Sequence, residues 1–252
     1  SAFREFEVPV VQTLHEYKLL CPISSMVLDG ATCARCAEGD FWQAALHRCN
    51  RGSLSRSIAV AAESYISKFF GAESQVTHFA AVSDFVRARM IEYGISPERI
   101  TTLYNFVSSD AFGSPDGVGD YFLFSGRLEG IKGVRTLLKA MERVPAARLV
   151  IAGEGSARRE FERFSAELEL VNVQFVGFKG RAELRRLISG ARCVVAPSEC
   201  DETFGLALVE SFALGRPVVA SRRGGMQEVV DDGIDGLFFE SGNVEELVER
   251  LK

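Results

Sequence analysis

The sequence contains no long apolar run, no basic excess and no long internal repeat, and these absences remove several classes of protein. No stretch approaches the roughly 20 apolar residues that a membrane-spanning helix needs. The 252 residues carry 34 acidic and 29 basic side chains, whereas a nucleic-acid binder usually has a strong basic excess. The N-terminus SAFREFEVPVV lacks the basic-then-apolar layout of a signal peptide, so we expect a cytoplasmic protein.

Two catalytic signatures are also missing from the sequence. No D-x-D-like metal motif lies in a suitable loop, and Asp231 and Asp232 fall in a predicted turn, so we expect no catalytic divalent metal. The loop SGRLEGIKG follows the first strand of the second half but does not have the pattern G-x-G-x-x-G. Its absence disfavours an NAD-dependent oxidoreductase.

The sequence does contain a regular alternation of short β-branched runs and amphipathic stretches, which is typical of parallel sheets with helices on both faces. Three strands are predicted in the first half, beginning with a buried strand at 8–14, and about six in the second. We therefore predict an α/β fold with two Rossmann-like parallel-sheet domains. The first domain spans 1–112, is incomplete and has a cysteine-containing insert. The second spans 121–252, and a Gly- and Pro-rich linker at 113–120 joins the two.

Ligands of such sheets bind at the carboxyl ends of the strands, so the loops that follow strands are the candidate sites. The loop after YFLFSG begins at Gly126 and holds Arg127 and Lys132. A bidentate cation and a point cation on one loop suit a diphosphate, the alternative being a solvated surface pair. The strand ARLVIAG ends at Gly153, which permits a close approach of the backbone to a ligand.

The stretch ETFGLALVESFALG contains two glutamates, and each has a chemical interpretation. Glu202 precedes a predicted helix N-terminus, where free N–H groups attract anions; a simple charge effect on the helix end is the alternative. Glu210 lies between LALV and SFALG, where a charge needs partners, and paired ribose hydroxyls would match an acceptor-only carboxylate. Cations, a helix end and a ribose-binding carboxylate together indicate a nucleotide diphospho-sugar.

The segments SGRLEGIKG, VIAGEG, FVGF and PSECDETFGLALVESFALGRPVVASRRGGMQEVVDDGIDGLFF resemble family 4 of the retaining glycosyltransferases, which have the GT-B fold. Residues 9–17 and 79–112 also resemble the family's N-terminal domain. The resemblance implies transfer of a sugar from a UDP-, GDP- or ADP-linked donor to a hydroxyl of a glycan or lipid-linked acceptor, in glycan or glycolipid biosynthesis. Relative to the family, we expect the chain to be truncated at both ends.

The resemblance also implies residue roles. Arg127 and Lys132 would hold the diphosphate and help it leave, while Glu202 would hold the transferred sugar. His15 would contact the sugar near the anomeric carbon, although a strand-end histidine bonded to backbone is the alternative. The implied donor-binding residues are Gly126, Gly153, Phe178, Lys179, Thr203, Phe204, Gly205, Leu206 and Glu210.

Two other functions stay open at this point. One is a nucleotide-sugar epimerase of the same architecture, although the full E-x7-E context favours transfer. The other is a noncatalytic nucleotide-binding half that needs a missing segment or a partner chain.

Two further features lie in the first half of the sequence. Cys21, Cys33, Cys36 and Cys49 have a spacing that fits a structural zinc site, with His47 as a rival ligand and packed reduced thiols as the alternative. The stretch RSIAVAAESYISKFFG predicts an amphipathic helix. We favour a core-facing helix over one that contacts the inner face of a membrane.

Overall fold

The computed structural model describes residues 8–108, 117 and 119–252. The chain divides into two compact units between Tyr104 and Asn105. The predicted linker at 113–120 lies outside the described residues except for positions 117, 119 and 120. The domain boundaries drawn from the sequence therefore stay a prediction.

The first unit contains a small parallel sheet in the order β1-β4-β5 and an antiparallel hairpin formed by β2 and β3. The most completely buried part of this unit lies around β4, where Phe79, Met90 and Ile100 are fully buried. The elements in chain order are β1 (Val11–Leu14), β2 (Val27–Leu28), β3 (Ala31–Thr32), α1 (Trp42–Leu46), α2 (Leu54–Phe69), β4 (His78–Ala81), α3 (Asp84–Glu92) and β5 (Ile100–Thr102).

Two predictions for this unit are wrong. The strand predicted as buried over 8–14 spans only Val11–Leu14 and exposes its first three residues, because among the described strands it pairs with β4 alone. The large apolar side chains of helix α2 were predicted to face the core, but they do not. It buries the small residues Ser57, Ala61 and Ser64, whereas Ile58, Ile66 and Phe69 are exposed.

The second unit is a six-stranded parallel sheet with helices on both faces, which confirms the α/β prediction for this half of the chain. Its elements in chain order are β6 (Tyr121–Ser125), α4 (Val134–Glu142), β7 (Arg148–Ala152), α5 (Arg158–Glu167), β8 (Val173–Gly177), α6 (Arg181–Ser189), β9 (Cys193–Ala196), α7 (Leu206–Ala213), β10 (Val218–Ser221), β11 (Gly236–Phe239) and α8 (Val244–Leu251).

The alternation of side chains along β6 explains why this strand is apolar throughout. Phe122 and Phe124 enter the core that contains Leu137 of α4, whereas Leu123 enters the core on the opposite face, with Leu208 of α7. Successive side chains of a strand point to opposite faces, so a strand covered on both sides reads as a continuous apolar run.

The strand order places a crevice at the centre of this sheet. The order is β11-β10-β9-β6-β7-β8, so the chain builds outward from β6 through β7 and β8 and then crosses to β9 on the other side. The loops after β6 and β9 therefore leave neighbouring strand ends in different directions. Such a switch point is where open parallel sheets bind ligands.

Candidate functional site

The loops that follow β6 and β9 are locked together at the switch point. Gly133 has a φ of 68°, and a Cβ atom added there would lie 1.7 Å from the carbonyl oxygen of Pro197. The N–H of Glu199 donates to the carbonyl of Ile131 at 2.8 Å, and the hydroxyl of Thr136 donates to the Glu199 carboxylate at 2.5 Å. The backbone around Lys132 is thus held directly against the loop that leads to Glu202.

The two predicted charges of these loops form a direct ion pair. Lys132 Nζ donates to Glu202 Oε1 at 2.6 Å, and each side chain is only 18% exposed. A pair this sheltered from water is more strongly coupled than an exposed one, because screening is weaker. The sequence predicted both residues at strand ends but did not predict that they bond to each other.

A cleft of about 280 Å³ lies at the carboxyl ends of β6, β7 and β8. Lys132 and Glu202 are not among the residues that line it. Gly153 has a φ of 150°, and its missing side chain lets the backbone lie against Gly126, whose carbonyl oxygen would be 1.9 Å from an added Cβ. A Cβ at Gly126 itself would make only ordinary contacts. Five predicted residues line the cleft: Gly126, Arg127, Gly153, Phe178 and Lys179.

Two of these lining side chains are open to solvent. The Arg127 side chain is 74% exposed, and its closest acidic partner is Glu129 at 3.6 Å. Phe178 is 76% exposed. An exposed aromatic face and a weakly held guanidinium at one cleft provide a stacking surface and a bidentate anion donor.

Helix α7 begins beside the Lys132–Glu202 pair. Gly205 has a φ of 102° and precedes the first helical residue, Leu206. Phe204 therefore lies in the loop, two residues before the helix begins. Phe204 is buried and Leu206 is exposed, while Thr203 is half-buried. The unpaired N–H groups of the first turn carry partial positive charge, which suits an anionic ligand.

Glu210 lies in α7 and is half-buried. Burial raises the pKa of its carboxyl from the ordinary 4.5, and the charge of Arg181 opposes this shift. Within the part of the chain that the structure describes, the carboxylate makes no hydrogen bond or ion pair. The charge of Arg181 is the electrostatic partner recorded for this carboxylate, and both carboxylate oxygens stay available as acceptors for a ligand.

The raised pKa of Glu210 predicts a dependence of stability on pH. The folded protein holds this proton more tightly than the unfolded chain. The contribution of the protonated carboxyl to the free energy of unfolding is therefore present below pH 4.5 and is lost as the pH rises through the raised pKa. We expect Glu210→Gln to raise the melting temperature at pH 7, without nucleotide, and to change it little at pH 4. An equal change at both pH values, measured by calorimetry, would contradict this account.

His15 directly follows β1 in the first unit and is exposed. It takes part in an interaction within the protein. Its proposed contact with a sugar stays a prediction.

The four early cysteines are all reduced and lie in the segment between β1 and α2. Cys36 is buried in a small apolar cluster against which Cys49 packs. Burial, and then the charges of Cys21, Cys49 and Cys33, raise the pKa of Cys36 to about 12. The described residues contain no group of three or more His, Cys, Asp or Glu side chains ready to hold a metal ion, and His47 contacts Arg35 at 2.9 Å.

Comparison with known proteins settles the family. Residues 112–252 match the model of the glycosyl transferases group 1. The chain belongs to this family. The match confirms the resemblance seen in the sequence and covers all of the second unit's secondary structure.

Individual relatives match over part of their length. An uncharacterized glycosyltransferase of Methanocaldococcus jannaschii is 33% identical over 159 residues, which are 60% of this chain and 40% of that protein. The glycogen synthase of Mycobacterium tuberculosis is 31% identical over 195 residues, which are 74% of this chain and 45% of that protein. The match to this chain therefore spans less than half the length of these curated relatives.

Solved structures confirm the fold. The Anabaena protein HepE, determined in complex with UDP and glucose, covers 98% of this chain and 62% of its own, with a TM-score of 0.72 and 21% identity. The sucrose-phosphate synthase of Thermosynechococcus elongatus covers 69% of this chain and 48% of its own, with a TM-score of 0.64 and 26% identity. The GT-B-like architecture predicted from the sequence is thus confirmed. No described helix combines the length and apolar character needed to span a membrane.

Proposed function

We propose that this chain is the donor-binding part of a retaining glycosyltransferase, which moves a sugar from a nucleotide diphospho-sugar to a hydroxyl of an acceptor. The observation that carries the proposal is the sheltered Lys132–Glu202 pair at the switch point. A cleft lined by Arg127, from the same loop as Lys132, and by Phe178 opens at the carboxyl ends of the same sheet. Solved complexes of HepE with UDP and with UDP-glucose support a nucleotide-sugar donor.

The residues that bind the donor come from the loops after β6, β8 and β9 and from helix α7, and each group binds a different part of the donor. The base stacks on Phe178 beside Lys179, and the ribose hydroxyls donate to the Glu210 carboxylate. Arg127, Lys132 and the N–H groups at the start of α7 hold the diphosphate. Glu202, with the backbone of Phe204 to Leu206, holds the transferred sugar.

Transfer requires stabilisation of the leaving diphosphate. As the bond from the anomeric carbon to the phosphate oxygen breaks, negative charge builds on the phosphate, and preorganised cations lower the barrier. The acceptor hydroxyl attacks from the same face as the departing nucleotide and gives its proton to the leaving phosphate oxygen, so the configuration at the anomeric carbon is retained. Arg127 and Lys132 supply the positive charge at this point.

A nucleotide panel tests the proposal. Thermal-shift measurements with UDP, GDP, ADP and their sugar conjugates should show stabilisation by one nucleotide class. Stabilisation should be lost in Glu210→Ala, which removes the acceptor for the ribose hydroxyls. The change Glu249→Ala, at an exposed position of α8, is the matched control and should leave the shift unchanged. Binding without donor hydrolysis or transfer would favour a noncatalytic nucleotide-binding module, and a flat panel would contradict the proposal.

Zinc binding by Cys21, Cys33, Cys36 and Cys49 stays a proposal. It is supported by the spacing of the four cysteines and by the small size of the apolar cluster around Cys36. It requires the thiols to move together, because the described residues contain no preformed group of three or more ligands. Protein purified without chelator should contain about one zinc per chain. A zinc content near zero would remove the proposal.

Peripheral contact with a membrane stays a proposal as well. It is supported by the exposed apolar side chains of α2, Ile58, Ile66 and Phe69, and by the exposed cations Arg51 and Arg56 near its start. A lipid-linked acceptor would be met at such a surface. The wild type should float with anionic vesicles and Phe69→Glu should not; equal recovery of the two would contradict membrane contact.

A further inference from the structure

The Lys132–Glu202 pair has a third member that the sequence did not reveal. The Ser198 hydroxyl donates to Glu202 Oε1, the same oxygen that accepts from Lys132 Nζ. Ser198 is 5% exposed. One carboxylate oxygen is therefore held by a cation and a buried hydroxyl together, with the buried Cys200 thiol farther away at 4.0 Å.

Ser198 is itself fixed from the neighbouring strands. Its carbonyl oxygen accepts from the hydroxyl of Ser221 at 2.6 Å and from the hydroxyl of Ser241 at 3.2 Å. Ser221 ends β10, and Ser241 follows β11. The hydroxyl that reaches Glu202 thus starts from a backbone position anchored on two sides.

The contacts that join the two loops do not pass through this hydroxyl. The loops are joined by the bond from the Glu199 N–H to Ile131 and by the bond from Thr136 to the Glu199 carboxylate. Loss of the Ser198 hydroxyl therefore leaves the backbone assembly in place and removes one donor from the Glu202 carboxylate.

Donor binding changes which groups can donate hydrogen bonds to the Glu202 carboxylate. Under the proposed function, Lys132 holds the donor's diphosphate, and the amine cannot serve the carboxylate and the phosphate equally. A sheltered carboxylate that loses its cation must keep another hydrogen-bond donor, because an unpaired buried charge is costly. The Ser198 hydroxyl is in place to be that donor, because the Cys200 thiol is a weak donor and lies 4.0 Å from the same oxygen.

We propose that Ser198 is a positioning residue, which holds Glu202 while Lys132 turns from that carboxylate to the diphosphate of the donor. Before the donor binds, the Glu202 carboxylate is the anion that pairs with the Lys132 ammonium, and the diphosphate takes that place when it binds. After the exchange, Glu202 is held by Ser198 and is free to accept from hydroxyls of the transferred sugar. This inference rests on the proposed function.

Calorimetric titration with UDP, GDP and ADP tests the exchange, because these nucleotides contain no transferred sugar that could replace Lys132 as a donor to Glu202. Ser198→Ala should weaken binding of the accepted nucleotide by about tenfold to a hundredfold, the usual effect of a hydrogen bond to a charged group. Ser198→Thr, which keeps the hydroxyl, should restore binding. Ser64→Ala removes another buried hydroxyl, which donates to Val60 in α2, and should change nothing.

A double-mutant cycle separates positioning from packing. Glu202→Gln removes the charge that must be held after the exchange, so Ser198→Ala should cost little in that background. An equal loss in both backgrounds, or no loss in the wild-type background, would overturn the inference while leaving the proposed function intact. Failure of the wild type to bind any of the three nucleotides would overturn both.

Discussion

Replacement of Lys132 by alanine is expected to lower the rate of sugar transfer by about 10²–10³-fold, the usual effect of removing one preorganised electrostatic stabiliser. The Lys132 side chain is only 18% exposed, and its ion pair with Glu202 places its amine at the switch point. Arg127 cannot replace it, because its side chain is largely exposed and belongs to the start of the same loop. Steady-state kinetics of donor hydrolysis or transfer measure the effect.

Lys139→Ala is the matched control for this change. Lys139 lies in the last turn of α4 and is exposed, so its loss should leave the kinetics unchanged. Turnover by Lys132→Ala within a fewfold of the wild type would contradict the role of this amine.

Gly133→Ala is expected to damage both stability and binding. The position has a φ of 68°, and the new Cβ would lie 1.7 Å from the backbone oxygen of Pro197, so the two loops would have to separate. Backbone strain of this kind costs on the order of 1–3 kcal/mol. Separation of the loops would also break the alignment of Lys132 with Glu202, so we expect a lower melting temperature together with loss of nucleotide binding.

Gly130→Ala provides a control within the same loop. A Cβ at Gly130 would have no atom within 4 Å, and its backbone does not lie in the left-handed region. Thermal unfolding of the two variants should therefore differ clearly. Equal melting temperatures for Gly133→Ala and Gly130→Ala would show that the close contact between the loops does not stabilise the protein.

The second unit was predictable from sequence because its strands are covered on both faces. Continuous apolar runs such as YFLFSG are unambiguous when both faces of a strand are buried, and glycines and charges then mark the loops. Lys132 and Glu202 could each be assigned to the carboxyl end of a strand in this way. Their direct bond depends on the strand order, which places β9 beside β6 and cannot be read from local pattern.

The first unit was harder to predict because burial there depends on neighbours rather than on periodicity. Helix α2 has apolar residues at helical spacing, yet it packs through Ser57, Ala61 and Ser64 and exposes the larger side chains. The segment 8–14 reads as a buried strand, but β1 contains Gln12 and Thr13 and pairs with only one described strand. Ser198 was missed for another reason: a serine after a strand is common, and only its contact with Glu202 distinguishes it.

Hydrogen exchange measured by mass spectrometry, with and without the nucleotide that stabilises the protein, tests the central claim most directly. We predict slower exchange in the loops after β6, β7, β8 and β9, which are residues 126–133, 153–155, 178–180 and 197–206. The C-terminal helix α8 should exchange unchanged. Protection confined to other segments, or none at saturating nucleotide, would contradict the assignment of the donor site to the switch point of this sheet.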